Sequence, residues 1–78
     1  MADTRHRPPS MAQLTAQCAR WNAANPVGTA VNVTMDNGEV RQTVTRTGAQ
    51  ILSGHSAVIW LEGISGCYQL SRVTRREA

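Results

Sequence analysis

Residues 54–73, GHSAVIWLEGISGCYQLSRV, limit the possible folds more than any other stretch of this chain. An apolar run (Ala57, Val58, Ile59, Trp60, Leu61) leads into a glycine-flanked turn (Gly63, Ile64, Ser65, Gly66) and a second short run (Cys67, Tyr68, Gln69, Leu70). β-Branched and aromatic residues on both sides of a short Gly/Ser turn specify a hairpin. On the first strand Ala57, Ile59 and Leu61 share one side, and Val58 and Trp60 share the other. A strand apolar on both sides is covered on both, and a lone small barrel covers only one. The second side therefore meets either a docked helix or another copy of the chain.

Size sharpens that point. A chain of 78 residues makes one domain. It buries only about 60% of its unfolded surface, and scaffolds of this size gain stability from disulfides, metals or self-association. Cys18 and Cys67 are too few and too far apart for a disulfide framework. No CxxC pair or His/Cys cluster predicts zinc. Self-association remains, and a homo-oligomer, dimer or tetramer, is expected.

Residues 1–9 (MADTRHRPP) are polar and proline-ended, which predicts a disordered tail. Residues 10–25 carry a helix: Ser10 is the N-cap, Gln13 its capping-box partner, and Asn25-Pro26 the stop. Met11, Leu14, Cys18 and Trp21 fall on one helical face, which predicts docking against the rest of the chain. Residues 26–78 read as short strands. Val31 and Val33 alternate with Asn32 and Thr34, the pattern of a half-buried strand. Asp36-Asn37-Gly38 is a tight-turn signal. On the returning strand, residues 39–47, the valines Val40 and Val44 point to an inner face shared with Gln42, and Arg46 leaves that face at the end. Residues 48–53 are either a bend or a continuation of that strand. Residues 55–62 form the third strand and residues 67–70 the fourth. Ser71, Arg72 and Val73 suit a one-turn 3₁₀ step before a short last strand, with residues 74–78 fraying. About five short strands, tight turns and a 3₁₀ step predict a mainly β fold, a small SH3-like barrel preceded by one α-helix.

All eight basic residues are arginine, and the net charge is +3. The guanidinium fork grips phosphate and carboxylate bidentately, although a modest net charge alone is not diagnostic. No apolar run approaches the roughly 20 residues of a membrane span, and residues 1–9 have no apolar signal core. A cytoplasmic protein is expected. Ser53, His55 and Ser56 adjoin, but no carboxylate is placed to orient His55. The five acids form no close pair, and the glycine turn lies between strands instead of opening a helix. These absences argue against an enzyme, so no catalytic residue, metal or cofactor is assigned. The polar residues around the hairpin, His55, Tyr68, Gln69, Ser71 and Arg72, are the candidate ligand-binding set. A symmetric assembly would gather copies of Gln69 at one axis. Arg72, Arg75 and Arg76 make a second, C-terminal basic cluster. A DNA-associated module is a competing reading, but the alanine-rich helix offers no Asn, Gln and Arg on a common outer face for base reading.

Two resemblances add to this. Trp21, Asn22, Pro26, Val27, Gly28 and Thr29, with Leu52, Gly54, His55, Glu62 and Gly63, make a pattern similar to short uncharacterised proteins of phages and actinobacterial genomes. That likeness covers about two-thirds of the chain and implies a phage or prophage accessory protein, hence a host-cell cytoplasmic location. More distantly, residues 27–73 resemble the plasmid-borne, trimethoprim-insensitive type B dihydrofolate reductases, SH3-like barrels that form a tetramer around one pore. Residues 66–73 stand in place of the family's pore motif, Gly-Ser-Val-Gln-Ile-Tyr-Pro-Val, and Gln69 keeps its glutamine. Ser71 replaces the pore tyrosine and Thr34 the substrate-binding lysine. The resemblance therefore implies fold and assembly more than NADPH-dependent reduction. Taken together, these features predict an oligomeric, non-catalytic binding protein for an anionic nucleotide-like ligand, such as a host immune signal, or for a host protein. A type B-like reductase is the enzyme alternative.

Overall fold

The computed structural model describes residues 10–76. The expected tail at residues 1–9 lies outside them. Helix α1 (Met11–Ala24) is followed by β1 (Ala30–Thr34), β2 (Val40–Val44), β3 (Gln50–Leu52), β4 (Ser56–Trp60) and β5 (Cys67–Gln69). A 3₁₀ turn (Leu70–Arg72) then leads into β6 (Val73–Arg75). The strands form two antiparallel three-stranded sheets, β2-β1-β6 and β3-β4-β5. One seam joins them: Thr45 bridges Leu61, Arg46 N–H donates to the Trp60 carbonyl at 2.9 Å, and Glu62 N–H donates to the Val44 carbonyl at 3.0 Å. On the far side β5 and β6 are connected through the 3₁₀ turn and not by strand pairing. The fold of the described residues is mainly β, two three-stranded antiparallel sheets joined along one seam behind one N-terminal helix, and strand pairing does not close them into a full barrel.

Six strands appear where about five were expected, because the second is broken. Residues 40–44 pair with β1, residues 50–52 pair with β4, and residues 45–49 make the corner between the sheets. A strand that switches sheets needs such a bend. Gly48 permits it: a Cβ there would come within 3.1 Å of the Asn22 side-chain oxygen. The last strand also runs further than expected, through Arg75, and Arg76 N–H still donates to the Ala30 carbonyl at 2.9 Å.

The core begins with Val31 and Val33, both fully buried. The register sets Thr43 opposite Val31 and Arg41 opposite Val33. Arg41, Thr43 and Thr45 therefore share the core-facing side of the second strand, and Val40 and Val44 face away, which corrects the expected orientation. Val40 is 63% exposed. The register is fixed from both ends. The Asp36-Asn37-Gly38 turn closes with Met35 N–H donating to Glu39 at 2.7 Å. At the other end the buried Thr45 hydroxyl accepts from Gly28 N–H (2.9 Å) and Thr29 N–H (3.2 Å). Tied at both ends, the strand cannot slip by the one residue that would turn Val40 and Val44 inward.

α1 is capped as its sequence predicts. Gln13 N–H donates to Ser10 Oγ at 3.1 Å, and Ser10 N–H donates to Gln13 Oε1 at 2.8 Å. Leu14 and Cys18 are buried in the same cluster as Ala57, Ile59 and Leu61, and Trp21 packs against it. Met11 departs from this face and stays 54% exposed. The Asn22 amide fixes the docking: it accepts from Ala49 N–H at 2.8 Å and donates to the Ala49 carbonyl at 3.1 Å. The helix thus sits on the Ala57 side of β4. Val58, on the other side, is buried but lies outside this cluster, so the helix is not what covers the second face.

Candidate functional site

The site grows out of the end of β5. Pairing of Val58 with Gln69 and of Ile59 with Tyr68 splits these neighbours between faces. Tyr68 packs against the core, and the Gln69 amide stays exposed. The chain then tightens into the 3₁₀ turn. Leu70 is buried and anchors it, which leaves Ser71 and Arg72 exposed beside Gln69.

Gln69 forms a saddle between two hollows. The first, about 300 Å³, has Leu14 and Ala57 in its wall. Its polar lining among the described residues is Gln17, His55, Ser56, Gln69 and Ser71, with no carboxylate. The second, about 380 Å³, is lined by Asp36, Ser65, Cys67, Tyr68, Gln69 and Arg72. Arg72 Nη1 donates to the carbonyls of Thr34 (3.4 Å) and Met35 (3.5 Å). These long bonds hold one edge of the guanidinium against the end of β1. All five candidate ligand-binding residues line one hollow or the other: His55 and Ser71 the first, Tyr68 and Arg72 the second, Gln69 both.

The expected C-terminal basic cluster is drawn apart. Arg72 lies beside Thr34, whereas Arg75 pairs with Val31 further along β1. The helix also holds more than expected. Gln13, Gln17 and Arg20 recur at i, i+4 and i+7, the spacing of one helical flank, so the helix does carry amide and guanidinium groups along one side. Gln17 lines the first hollow, and a further hollow of about 300 Å³ follows along α1, lined by Gln17, Arg20, Trp21, Ala24, Asn25 and Leu70. Gln17 and Arg20 escaped the sequence reading because only the apolar stripe of the helix was informative there.

The residues of the Pro-Val-Gly-Thr and aromatic-Asn patterns build the frame. Thr29 donates to the Pro26 carbonyl through both its hydroxyl (2.6 Å) and its N–H (3.1 Å). Gly28 has φ 95°, a left-handed conformation that favours glycine, and its N–H reaches the Thr45 hydroxyl. Asn22 is the clamp on Ala49. His55 is the exception. It is exposed in the β3–β4 turn, its N–H donating to the Leu52 carbonyl at 3.1 Å, and its ring borders the first hollow.

Of the two thiols, Cys18 is buried and desolvation raises its pKa, which disfavours the thiolate. Among the described residues no three His, Cys, Asp or Glu side chains gather into a metal-holding group. None of the described helices is long and apolar enough to cross a membrane. No family model matches the chain, and no curated protein or solved structure matches it either.

Proposed function

We propose that this chain is a non-catalytic, self-associating binding protein that holds an anionic, nucleotide-like ligand at the Gln69 saddle. One observation carries the reading: an exposed amide joins a hollow of hydroxyl, amide and imidazole groups, without a carboxylate among the described residues, to a hollow containing the buttressed Arg72 and Asp36. An amide offers both a donor and an acceptor to a base edge or a ribose. A guanidinium held along one edge keeps N–H groups for phosphate, and charge-assisted bonds of this kind contribute about 1.5–3 kcal/mol each. Hollows of this size lie at the lower end of small-molecule sites, roughly 300–1,000 Å³.

Self-association uses the outer face of β4 and its neighbours. Leu52 is 44% exposed there, and the half-buried Trp60 pairs with the half-buried Cys67. Gln50 and Gln69 flank Val58 on the same face, so joining two copies there would bring their saddles near one another. The resemblance to short phage proteins supplies the biological setting: an accessory protein in the host cytoplasm that sequesters a nucleotide immune signal.

A calorimetric screen of mono-, di- and cyclic nucleotides tests the reading. Wild type binds at least one, more weakly as salt rises, and Gln69→Ala and Arg72→Ala each weaken it about tenfold or more, the equivalent of one charged hydrogen bond. Equal binding by both variants places the site elsewhere, and no binding at any salt concentration transfers the role to a protein partner. With dihydrofolate and NADPH the purified protein gives no turnover above background, because Ser71 and Thr34 replace the tyrosine and lysine of the type B reductases. Clear turnover would reverse the ranking of the two readings.

A further inference from the structure

We infer that the site continues along α1 into a second subsite, and that its ligand is a linear dinucleotide bearing a terminal phosphate. The inference rests on the Gln69 reading and extends it. Gln17 lines both the first hollow and the one beyond it, each about 300 Å³, so the two are neighbours across a single amide. Two hollows of similar size suit two units of similar size. The lining of the further hollow differs from that of the first. Trp21 presents part of its indole there while the remainder packs against the core. Leu70 and Ala24 add apolar surface, and Ala24 leaves room beside the indole because it is small. Such a surface takes a planar base by stacking, which is worth about 1–3 kcal/mol per base by alanine substitution.

Charge completes the assignment. Arg20 borders this hollow, Arg72 lies beyond Gln69 at the opposite end of the groove, and among the described residues no carboxylate lines either hollow between them. Asp36 is confined to the Arg72 end. The groove therefore runs from indole and Arg20, past the Gln17 amide and Ser71 hydroxyl, to Gln69 and then Arg72. A base stacks on Trp21, the linking phosphate passes Arg20 and Gln17, the second nucleoside fills the His55–Ser71 hollow, and the terminal phosphate meets Arg72.

Calorimetry with 5′-phosphorylated diadenylate (pApA) and with AMP tests this. The protein is used whole, in wild-type, Ala24→Leu and Arg20→Ala forms. Both substitutions fall on exposed helix positions and leave Trp21 in place. The expected result is pApA binding at least tenfold tighter than AMP. Ala24→Leu, which fills the subsite, and Arg20→Ala, which removes its cation, bring pApA down to the level of AMP and leave AMP within twofold of wild type. In nitrogen-proton NMR spectra the Trp21 indole N–H resonance moves with pApA and not with AMP. If AMP binds and pApA binds no tighter, or if Ala24→Leu binds pApA as wild type does, the subsite is overturned and the Gln69 reading stands. If neither ligand binds, the dinucleotide proposal is overturned, and the Gln69 reading falls with it only when the wider nucleotide screen also finds no binding. Binding of a longer adenylate strand far more tightly than pApA overturns the dinucleotide assignment in favour of single-stranded nucleic acid.

Discussion

β1 and β4 are both five-residue strands at the centre of three-stranded sheets, yet they treat their two faces differently. β1 buries Val31 and Val33 completely and turns Asn32 and Thr34 the other way, where Thr34 is exposed but Asn32 is half-buried with its side-chain oxygen buried and unpartnered among the described residues. β4 buries Ala57 and Ile59 on the core side and also carries Val58 and Trp60 on the other. α1 docks on the Ala57 side of β4; on the other side Val58 is already buried within the single chain at 3% exposure, and the half-buried Trp60 is the apolar residue of that face left partly open. That difference, a half-buried Trp60 on β4 against an exposed Thr34 on β1, is what supports the proposed docking of a second copy on β4.

Truncating the core faces produces the largest effect and should treat the strands alike. Ile59→Ala and Val33→Ala each remove a fully buried side chain. Chemical denaturation should show losses of about 2–5 kcal/mol for Ile59→Ala and somewhat less for the smaller Val33. A loss below about 1 kcal/mol at either site would mean that the face is not the core.

The joint between the sheets comes next. Thr45→Val keeps the shape of the side chain and removes the acceptor of the Gly28 and Thr29 N–H groups. Gly28 N–H also donates to the Thr45 carbonyl at 2.9 Å and Thr29 N–H to the Pro26 carbonyl at 3.1 Å, so each donor keeps one backbone acceptor when the hydroxyl is lost. Unfolding free energy should fall by about 0.5–1.5 kcal/mol, with no change in oligomeric state. An unchanged melting temperature would show that the hydroxyl does not fix the register of β2.

The smallest effect concerns the thiols. Cys18 is buried and Cys67 half-buried, so a thiol reagent should label Cys67 in the native protein and Cys18 only on unfolding. Burial raises the Cys18 pKa above its unfolded value. The unfolded chain then gives up that proton first, so the contribution is fully present below the unfolded thiol's pKa, about 8.5. It is lost as the pH rises through that value towards the folded one. Cys18→Ala should flatten the alkaline fall in melting temperature, and equal slopes in the two proteins would contradict the burial of this thiol.

Much of the frame was legible because it depends on local rules. The Ser10–Gln13 capping box, the Asp36-Asn37-Gly38 turn, the hairpin through Gly63 and Gly66 and the 3₁₀ step each follow from residues close together in sequence. The facing of β2 was misread for the opposite reason. Its register depends on Thr45 reaching the turn at Gly28, a bond across 17 residues that alternation alone does not reveal. The Gln17–Arg20 flank was hidden in the same way. It becomes part of a groove only because Asn22 clamps Ala49, 27 residues away, and sets the helix beside the 3₁₀ turn. Gln69, Ser71 and Arg72 could be singled out from the sequence, but their division between two hollows depends on which strand face each residue takes.

The most direct test of the contrast between β1 and β4 is multi-angle light scattering at micromolar concentration on wild type, Trp60→Glu and Thr34→Glu. The two substitutions place the same charge on the outer faces of the two strands. Wild type and Thr34→Glu should run as the same dimer or tetramer, and Trp60→Glu should run as a folded monomer. A wild type that is strictly monomeric and stable, or a Trp60→Glu variant that assembles as wild type does, would contradict the claim that a second copy covers the outer face of β4.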